Sequence, residues 1–325
     1  MTRDRKYDYI RIISMFCIVV SHYLEYSLGG ARIGELGRYL GGCGVIVFFL
    51  LSALLYGHKW IRNGRVHFDA GRYMKGRVIK LGSSLWPFLI LILPLFFIYD
   101  IQFLWRDVVL NFAFLGYLGR LPGNPHLWFL TVIMICYLEF AFLSRVRIDQ
   151  TVGVFLIALC LGAYVIVQNY GLPGHIFLTM AMCGWLFLNA DKFISYVKRI
   201  SAFWLWGMFL IINILSIYLF VNGLFDNYRL LSFPLYRICG ITWLLLMLKV
   251  LPRAAGNAVV TVSDMSFEVY LVHQMFCSSP FFTVMMISGN RIVQFVCLIV
   301  ISLVFAQVLH SLGIKNKAVL TKLLK

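Results

Sequence analysis

The hydrophobic pattern of this chain is one of long unbroken apolar runs separated by short polar stretches, with neither the two-residue alternation of strands nor the narrow stripe of a soluble amphipathic helix. Ten runs approach or reach the roughly 20 residues needed to cross the hydrocarbon of a bilayer. They cover residues 8–27, 42–58, 80–99, 126–144, 151–169, 172–189, 201–221, 232–251, 261–285 and 291–312. An eleventh stretch, 103–118 (FLWRDVVLNFAFLGYL), carries two charges near its start and reads as an interfacial or re-entrant segment. The pattern predicts an all-α protein: a polytopic membrane helix bundle of about ten transmembrane helices, forming a single membrane domain over 1–325.

Composition closes the alternatives. Only 13% of the 325 residues are charged and 61% are hydrophobic, against about 25% charged in ordinary soluble domains. Such a chain cannot cover its own surface with polar groups, which excludes a soluble enzyme and a disordered protein. The net charge of +16 would suggest nucleic acid on a soluble chain; here its distribution gives another cause. The N-terminal tail (Arg3, Arg5, Lys6), the second loop (Lys59, Arg62, Arg65, Arg72, Lys75, Arg77, Lys80), the fourth (Arg145, Arg147), the sixth (Lys192, Lys198, Arg199), the eighth (Lys249, Arg253) and the C-terminal tail (Lys315, Lys317, Lys322, Lys325) hold most of the cations. The alternate loops hold only Arg32, Arg38, Arg106, Arg120, Arg229 and Arg291. By the positive-inside rule both termini are cytoplasmic, in a multi-pass protein of the cell (cytoplasmic) membrane. The excess charge then serves topology and anionic membrane lipid, and no nucleic-acid partner is expected. The basic start followed by an apolar run imitates a signal peptide, but no small-residue cleavage site follows, so the run is expected to stay as the first helix. The eight cysteines lie scattered in apolar runs, with no C-x-x-C pair or Cys/His cluster, and read as small packed hydrophobes; neither a metal nor a disulfide is expected.

Ionisable groups at membrane depth are costly and generally face the protein interior. The first apolar run contains Asp8, Arg11 and His22 (YDYIRIISMFCIVVSHY). Arg11 and His22 are eleven residues apart, close to three helical turns, so they share a face about 16 Å apart along the axis. Asp8, one turn before Arg11, can pair with it. The ninth run, VSDMSFEVYLVHQMF, places Ser266, Tyr270, His273 and Cys277 at intervals of four, three and four, a polar stripe down one helix face. The fourth run opens with His126 and Trp128 at the expected outer interface, with Glu139 deeper on the same helix. Ahead of the third run, GRYMKGRVIKLG gathers Arg72, Lys75, Arg77 and Lys80 into a cytoplasmic cationic patch suited to phosphate, whether of lipid or of a soluble ligand. Taken singly, each cluster also has a plain structural reading: a snorkelling arginine, interhelical hydrogen bonds, an aromatic belt, lipid headgroup contacts.

In this order and at these depths the clusters resemble the acyltransferase-3 family of membrane acyltransferases, whose members include bacterial polysaccharide O-acetyltransferases. The resemblance rests on D-x-x-R followed by R-x10-H on helix one, GVIVFFLLSALLYG (44–57), RYMKGRVIKL, HLWFL and SFEVYLVHQ. It spans nearly the whole chain. Three positions depart from the pattern: Ala53 stands where a glycine is usual, Lys80 where a second arginine is usual, and Gly82 near a common proline. Lys80 keeps the charge without the bidentate fork of a guanidinium. No segment corresponds to the soluble domain some relatives carry, so a stand-alone form is expected.

The resemblance implies transfer of an acyl group, acetyl in the first instance, from cytoplasmic acyl-CoA to a hydroxyl of a glycan or related acceptor. It implies His22 and Arg11 as the catalytic residues, with His22 as general base and a covalent acyl-histidine as the variant. Arg11, Arg72, Lys75, Arg77 and Lys80 are the expected contacts to acetyl-CoA, and His126, Trp128, Ser266, Tyr270 and His273 the expected acceptor side. The reading from a different class is a transporter or flippase of a glycan intermediate or polar solute, for which ten helices with interior His, Glu and Arg would also serve. Such carriers favour paired broken helices in two repeats; Pro87, Pro94, Pro234 and Pro280 form no such symmetric pattern. Acceptor identity and oligomeric state have no signature in the chain.

Overall fold

The computed structural model describes residues 4–27, 32–62, 69–145, 150–169, 174–222, 229–278, 280 and 282–323. Of the cations counted above, Arg3, Arg65, Arg147 and Lys325 lie outside these residues, as do 172 and 173 at the start of the sixth apolar run. Among the described residues there are thirteen α-helices and no strands. They are α1 (Lys6–Ser27), α2 (Arg32–Arg62), α3 (Ala70–Ile98), α4 (Trp105–Phe112), α5 (Trp128–Arg145), α6 (Gln150–Asn169), α7 (His175–Leu188), α8 (Ala190–Arg199), α9 (Ala202–Val221), α10 (Arg229–Val250), α11 (Asn257–Asp264), α12 (Ser266–Ser278) and α13 (Arg291–Leu323). Short 3-10 turns at Pro125–Leu127 and Val284–Met286 precede α5 and α13.

Nine of the ten apolar runs fall each on one helix and the ninth on two, and the protein is a helix bundle in which five helices are, by length and apolarity, able to cross a bilayer: 33–60, 70–98, 125–144, 202–221 and 291–323. The boundaries differ from the sequence expectation: α2 starts at Arg32 and α13 runs on to Leu323, beyond the predicted 42 and 312, and three further differences have local causes. Helix α3 starts ten residues before the predicted span, because Asp69 caps it by accepting a hydrogen bond from the Arg72 amide. The basic patch expected in a loop therefore rides on the first turns of a helix. The predicted 261–285 helix is two helices, α11 and α12, kinked at Met265. It ends at Ser278, short of Pro280, whose ring removes a donor and disfavours helix before it. The 103–118 stretch is the eight-residue α4 and a run of turns. About 12 Å of helix cannot span a bilayer. Buried Asn111 donates to the Asp107 and Gly119 carbonyls and folds the segment back on itself.

Helix α1 lies at the centre, packed on α2, α10, α11 and α12, while α3 packs on α5 and α13. Two glycines set the closest approaches. A Cβ on Gly44 would come within 2.6 Å of the Ser14 carbonyl of α1, and one on Gly57 within 2.1 Å of the Phe187 carbonyl of α7. Small residues at such crossings let backbones meet where the apolar drive between helices is weak.

The two ends of the bundle differ. Lys6 donates to the Leu248 carbonyl, Arg5 to that of Arg253, and Lys249 to those of Val197 and Lys198. His58 bonds with Asp191. The segments rich in Lys and Arg thus meet at one end. His22, Arg38, Arg120, His126, His175 and Arg237 gather toward the other, around one cavity.

Candidate active site

Three helices bring three histidines together. His22 comes from α1, His126 from the turn before α5, and His273 from the middle of α12, with His126 and His273 buried and His22 half-buried. The His22 and His273 rings lie parallel with centroids 5.0 Å apart; His126 stands edge-on to both, at 6.4 Å and 5.4 Å. His22 Nδ1 and His273 Nε2 are 2.8 Å apart.

The partners assign the protons. His273 Nδ1 faces the carbonyls of Tyr270 at 2.8 Å and Val269 at 3.1 Å. Carbonyls only accept, so His273 Nδ1 carries hydrogen and, in the neutral ring, Nε2 is the acceptor. His22 Nδ1–H therefore donates to it, which leaves the lone pair of neutral His22 on Nε2. His126 Nε2 donates to the Leu271 carbonyl at 3.2 Å, so its lone pair is on Nδ1, a buried atom with no hydrogen-bond partner among the described residues. Tyr270 donates its hydroxyl to the His126 carbonyl at 2.5 Å and packs its ring against the imidazole, centroids 5.0 Å apart. The stripe on α12 is thus a support: Tyr270 holds His126, and His273 holds His22. Ser266 is buried on the same helix, away from the cavity lining.

His22 and His126 line a cavity of about 620 Å³. Its wall includes Trp128, Tyr117, His175, Tyr236 and Gln274, the last donating to the Tyr26 hydroxyl at 3.1 Å. Gly116 also lines it; a Cβ there would meet the Leu127 carbonyl at 2.5 Å, so the folded-back segment after α4 can close on the His126 turn only with glycine at this position.

At the opposite end of α1 lies a cationic cluster. Asp8, fully buried, takes Arg11 at 3.3 Å and Arg5 at 3.5 Å, and accepts from Ser263 at 3.0 Å. The Arg77 guanidinium sits over the rings of Tyr56, Tyr73 and Tyr137, at 4.6, 5.5 and 5.8 Å from their centroids. It forms no ion pair with a carboxylate among the described residues. Arg11, Arg77 and Lys317 are all within electrostatic reach of Lys80. Behind it, Glu268 accepts from Ser84 at 2.7 Å and meets His310 at 3.3 Å.

A family model described as an acyltransferase domain matches residues 4–311, nearly the whole chain, and takes in both the histidine cluster and the cationic cluster. The chain belongs to the acyltransferase-3 family. No curated protein and no solved structure matches it.

For an acyltransferase-3 protein the residues singled out in the sequence sort into three groups. His22, His126 and Trp128 line the cavity, and Tyr270 and His273 brace it. Arg11 and Arg77 lie within electrostatic reach of Lys80, toward the other end of α1. Arg72 and Lys75 point away: Arg72 is 87% exposed and paired with its own capping Asp69, and Lys75 is exposed. Tyr73, Arg77 and Ser84 lie on the inward side of α3 with the more exposed Lys80 at its edge, whereas Arg72 and Lys75 fall off it. Glu139 lies against Gly184, with one carboxylate oxygen buried and without a hydrogen-bond partner among the described residues. The sequence reading had not placed Arg38, Arg120, Arg237, Tyr117 or His175 at the cavity, nor the three tyrosines around Arg77.

Proposed function

We propose that this acyltransferase moves an acyl group, acetyl in the first instance, from cytoplasmic acyl-CoA to a hydroxyl of a glycan or related acceptor, with His22 as general base. The observation that carries the reading is the chain of hydrogen bonds from the α12 carbonyls through His273 to His22, which leaves the Nε2 lone pair of a cavity-lining imidazole available.

In this reading the phosphates of the donor rest on Arg11, Arg77 and Lys80. Charge-assisted bonds to phosphate suit guanidinium groups, and Arg77, stacked among tyrosines and unpaired with any carboxylate among the described residues, has its charge to offer. The narrow pantetheine arm then runs along α1 over the about 16 Å to His22. The acceptor hydroxyl gives its proton to His22 Nε2 as its oxygen attacks the thioester carbonyl. The resulting imidazolium donates from Nδ1 to His273, whose orientation is held by two carbonyls, in the manner of the orienting member of a triad. The tetrahedral intermediate collapses by breaking the carbon–sulfur bond, and His22 returns the proton to the departing thiolate. Ester and free CoA leave with the base restored.

The test is thiol release from acetyl-CoA by protein in nanodiscs, wild type beside His22→Ala, with and without a panel of glycans. Release that needs His22 supports the reading. Full activity in H22A removes the mechanism, and solute uptake into vesicles without CoA release would turn the reading toward a carrier.

A further inference from the structure

A second hollow, of about 450 Å³, lies between α2, α6, α7, α8 and α10 and shares no residue with the histidine cavity. Every side chain on its wall is apolar or aromatic. Leu161, Trp185 and Tyr196 on that wall are exposed, so it is a groove open at the protein surface and not a sealed core void. Its depth follows from residue counts at about 1.5 Å each. Trp185 is three residues from the end of α7 at Leu188, and Leu245 is five from that of α10 at Val250. Leu161 is eleven from the start of α6 at Gln150, and Leu50 is twelve from the end of α2 at Arg62. These are the helix ends that carry the Lys- and Arg-rich segments, so the wall runs from about 4 Å to about 18 Å inward of that end. The hydrocarbon of one leaflet is about 15 Å thick, half of the roughly 30 Å core. The groove is one leaflet deep, on the side read as cytoplasmic.

Helix α8 supplies the shallow end. It is amphipathic: Phe193, Ile194 and Val197 pack on the core, and Lys192, Ser195, Lys198 and Arg199 are exposed. Phe193 and Tyr196 line the groove, and Phe193 stands edge-on to Trp185 of α7 with ring centroids 6.4 Å apart. At intervals of four and three, Lys192, Tyr196 and Arg199 share one flank of the helix. Two cations therefore stand beside a ring that enters the groove. Neither pairs with a carboxylate among the described residues. The one acid of α8, Asp191, falls on the opposite flank and bonds with His58 of α2.

We infer that the groove is the seat of an anionic phospholipid of the cytoplasmic leaflet, with one acyl chain lying along it and the headgroup phosphate held by Lys192 and Arg199. A short amphipathic helix with cations on its polar face rests at headgroup level, which puts both cations at the height of lipid phosphate above a slot one chain deep. Water would find no polar partner on such a wall. A phospholipid answers both features at once: hydrocarbon fills the space between the helices, and the phosphate meets the cations through charge-assisted bonds. A zwitterionic headgroup would bring its own cation to the same spot, and an anionic one does not. Seated there, the lipid braces α8 against α7 and α10 at the end of the bundle opposite the histidines.

The experiment uses the full chain, delipidated in mild detergent, with native mass spectrometry to count bound lipid. The probes are palmitoyl-oleoyl phosphatidylglycerol, the phosphatidylcholine with the same chains, and dihexanoyl phosphatidylglycerol, which has the headgroup without the long chain. The expected result is one long-chain phosphatidylglycerol per protein chain, with a Kd about tenfold or more below that of either other probe, in line with two cations at a membrane surface. Lys192→Gln together with Arg199→Gln, both exposed positions, should bring the two long-chain lipids to within about twofold of each other. Leu161→Trp, which fills the groove from its exposed edge, should weaken both long-chain lipids alike. Thermal unfolding shows that each variant is folded, and the double surface variant decides the matter where Leu161→Trp is not. Equal retention of the two long-chain lipids, or equal binding of the dihexanoyl form, overturns the inference. So does a preference that survives the double substitution, unchanged binding in folded L161W, or a dimer of this chain that L161W breaks in the absence of lipid. Binding is read without turnover, so its outcome is separate from that of the acyltransfer reading.

Discussion

Replacing His273 with Phe keeps a flat ring beside His22 and removes the atom that accepts its Nδ1–H. In the wild type that bond is 2.8 Å long and partly buried, and in the proposed mechanism it becomes charge-assisted only when His22 takes the acceptor's proton. Hydrogen bonds to charged groups contribute about 1.5–3 kcal/mol. If that contribution belongs to the transition state, each 1.36 kcal/mol is a factor of ten, and kcat should fall about 10- to 150-fold. The bond is remote from the cationic cluster proposed to hold the donor phosphates, so KM for acetyl-CoA should stay within about twofold, the pattern of an interaction made only in the transition state. The assay is steady-state thiol release in nanodiscs, with size-exclusion and thermal unfolding to show that H273F is folded. An unchanged kcat would refute the reasoning. So would a rise in KM alone. A loss as deep as that of H22A in a folded variant would mean that His273 touches the reacting atoms, and the roles of the two rings would have to be exchanged.

Two further outcomes follow from other parts of the structure. Arg77→Ala, which empties the tyrosine cage, should raise KM for acetyl-CoA about tenfold or more with kcat little changed, and titration of acetyl-CoA against initial rate checks it. Gly57→Ala would set a Cβ 2.1 Å from the Phe187 carbonyl, a backbone atom that cannot swing aside; overpacking of this kind costs about 1–3 kcal/mol and should lower the unfolding temperature in detergent while the residual activity keeps its wild-type KM values.

Spacing within one helix was legible in the sequence, and contacts between helices were not. The interval from Arg11 to His22 and the stripe of Ser266, Tyr270 and His273 follow from 3.6 residues per turn, and both stand as read. That His22 and His273 bond across 251 residues of chain depends on how α1 and α12 pack, which no periodicity reports. The basic patch was misplaced as a loop because its charges outweighed a weaker signal, Asp69, whose side chain starts α3 and divides the patch between two faces. The kink at Met265 was hidden inside an apolar run with no glycine or proline at that point to mark it. Arg38 and Arg120 counted in the sequence only as two of the few cations of the alternate loops, and that they line one cavity with Arg237 depends on how three separate segments pack.

Helix α1 also acts as a ruler. Arg11 and His22 are fixed to one rod, so the gap between charge and base is set by residue count and by nothing else in the bundle. A helix neither stretches nor slips: one residue added between them would turn His22 by about 100° and shift it by about 1.5 Å, swinging the imidazole off its partner on α12. Connecting loops can lengthen at little cost. The eleven-residue interval can neither gain nor lose a residue without changing both the spacing and the relative direction of the two side chains.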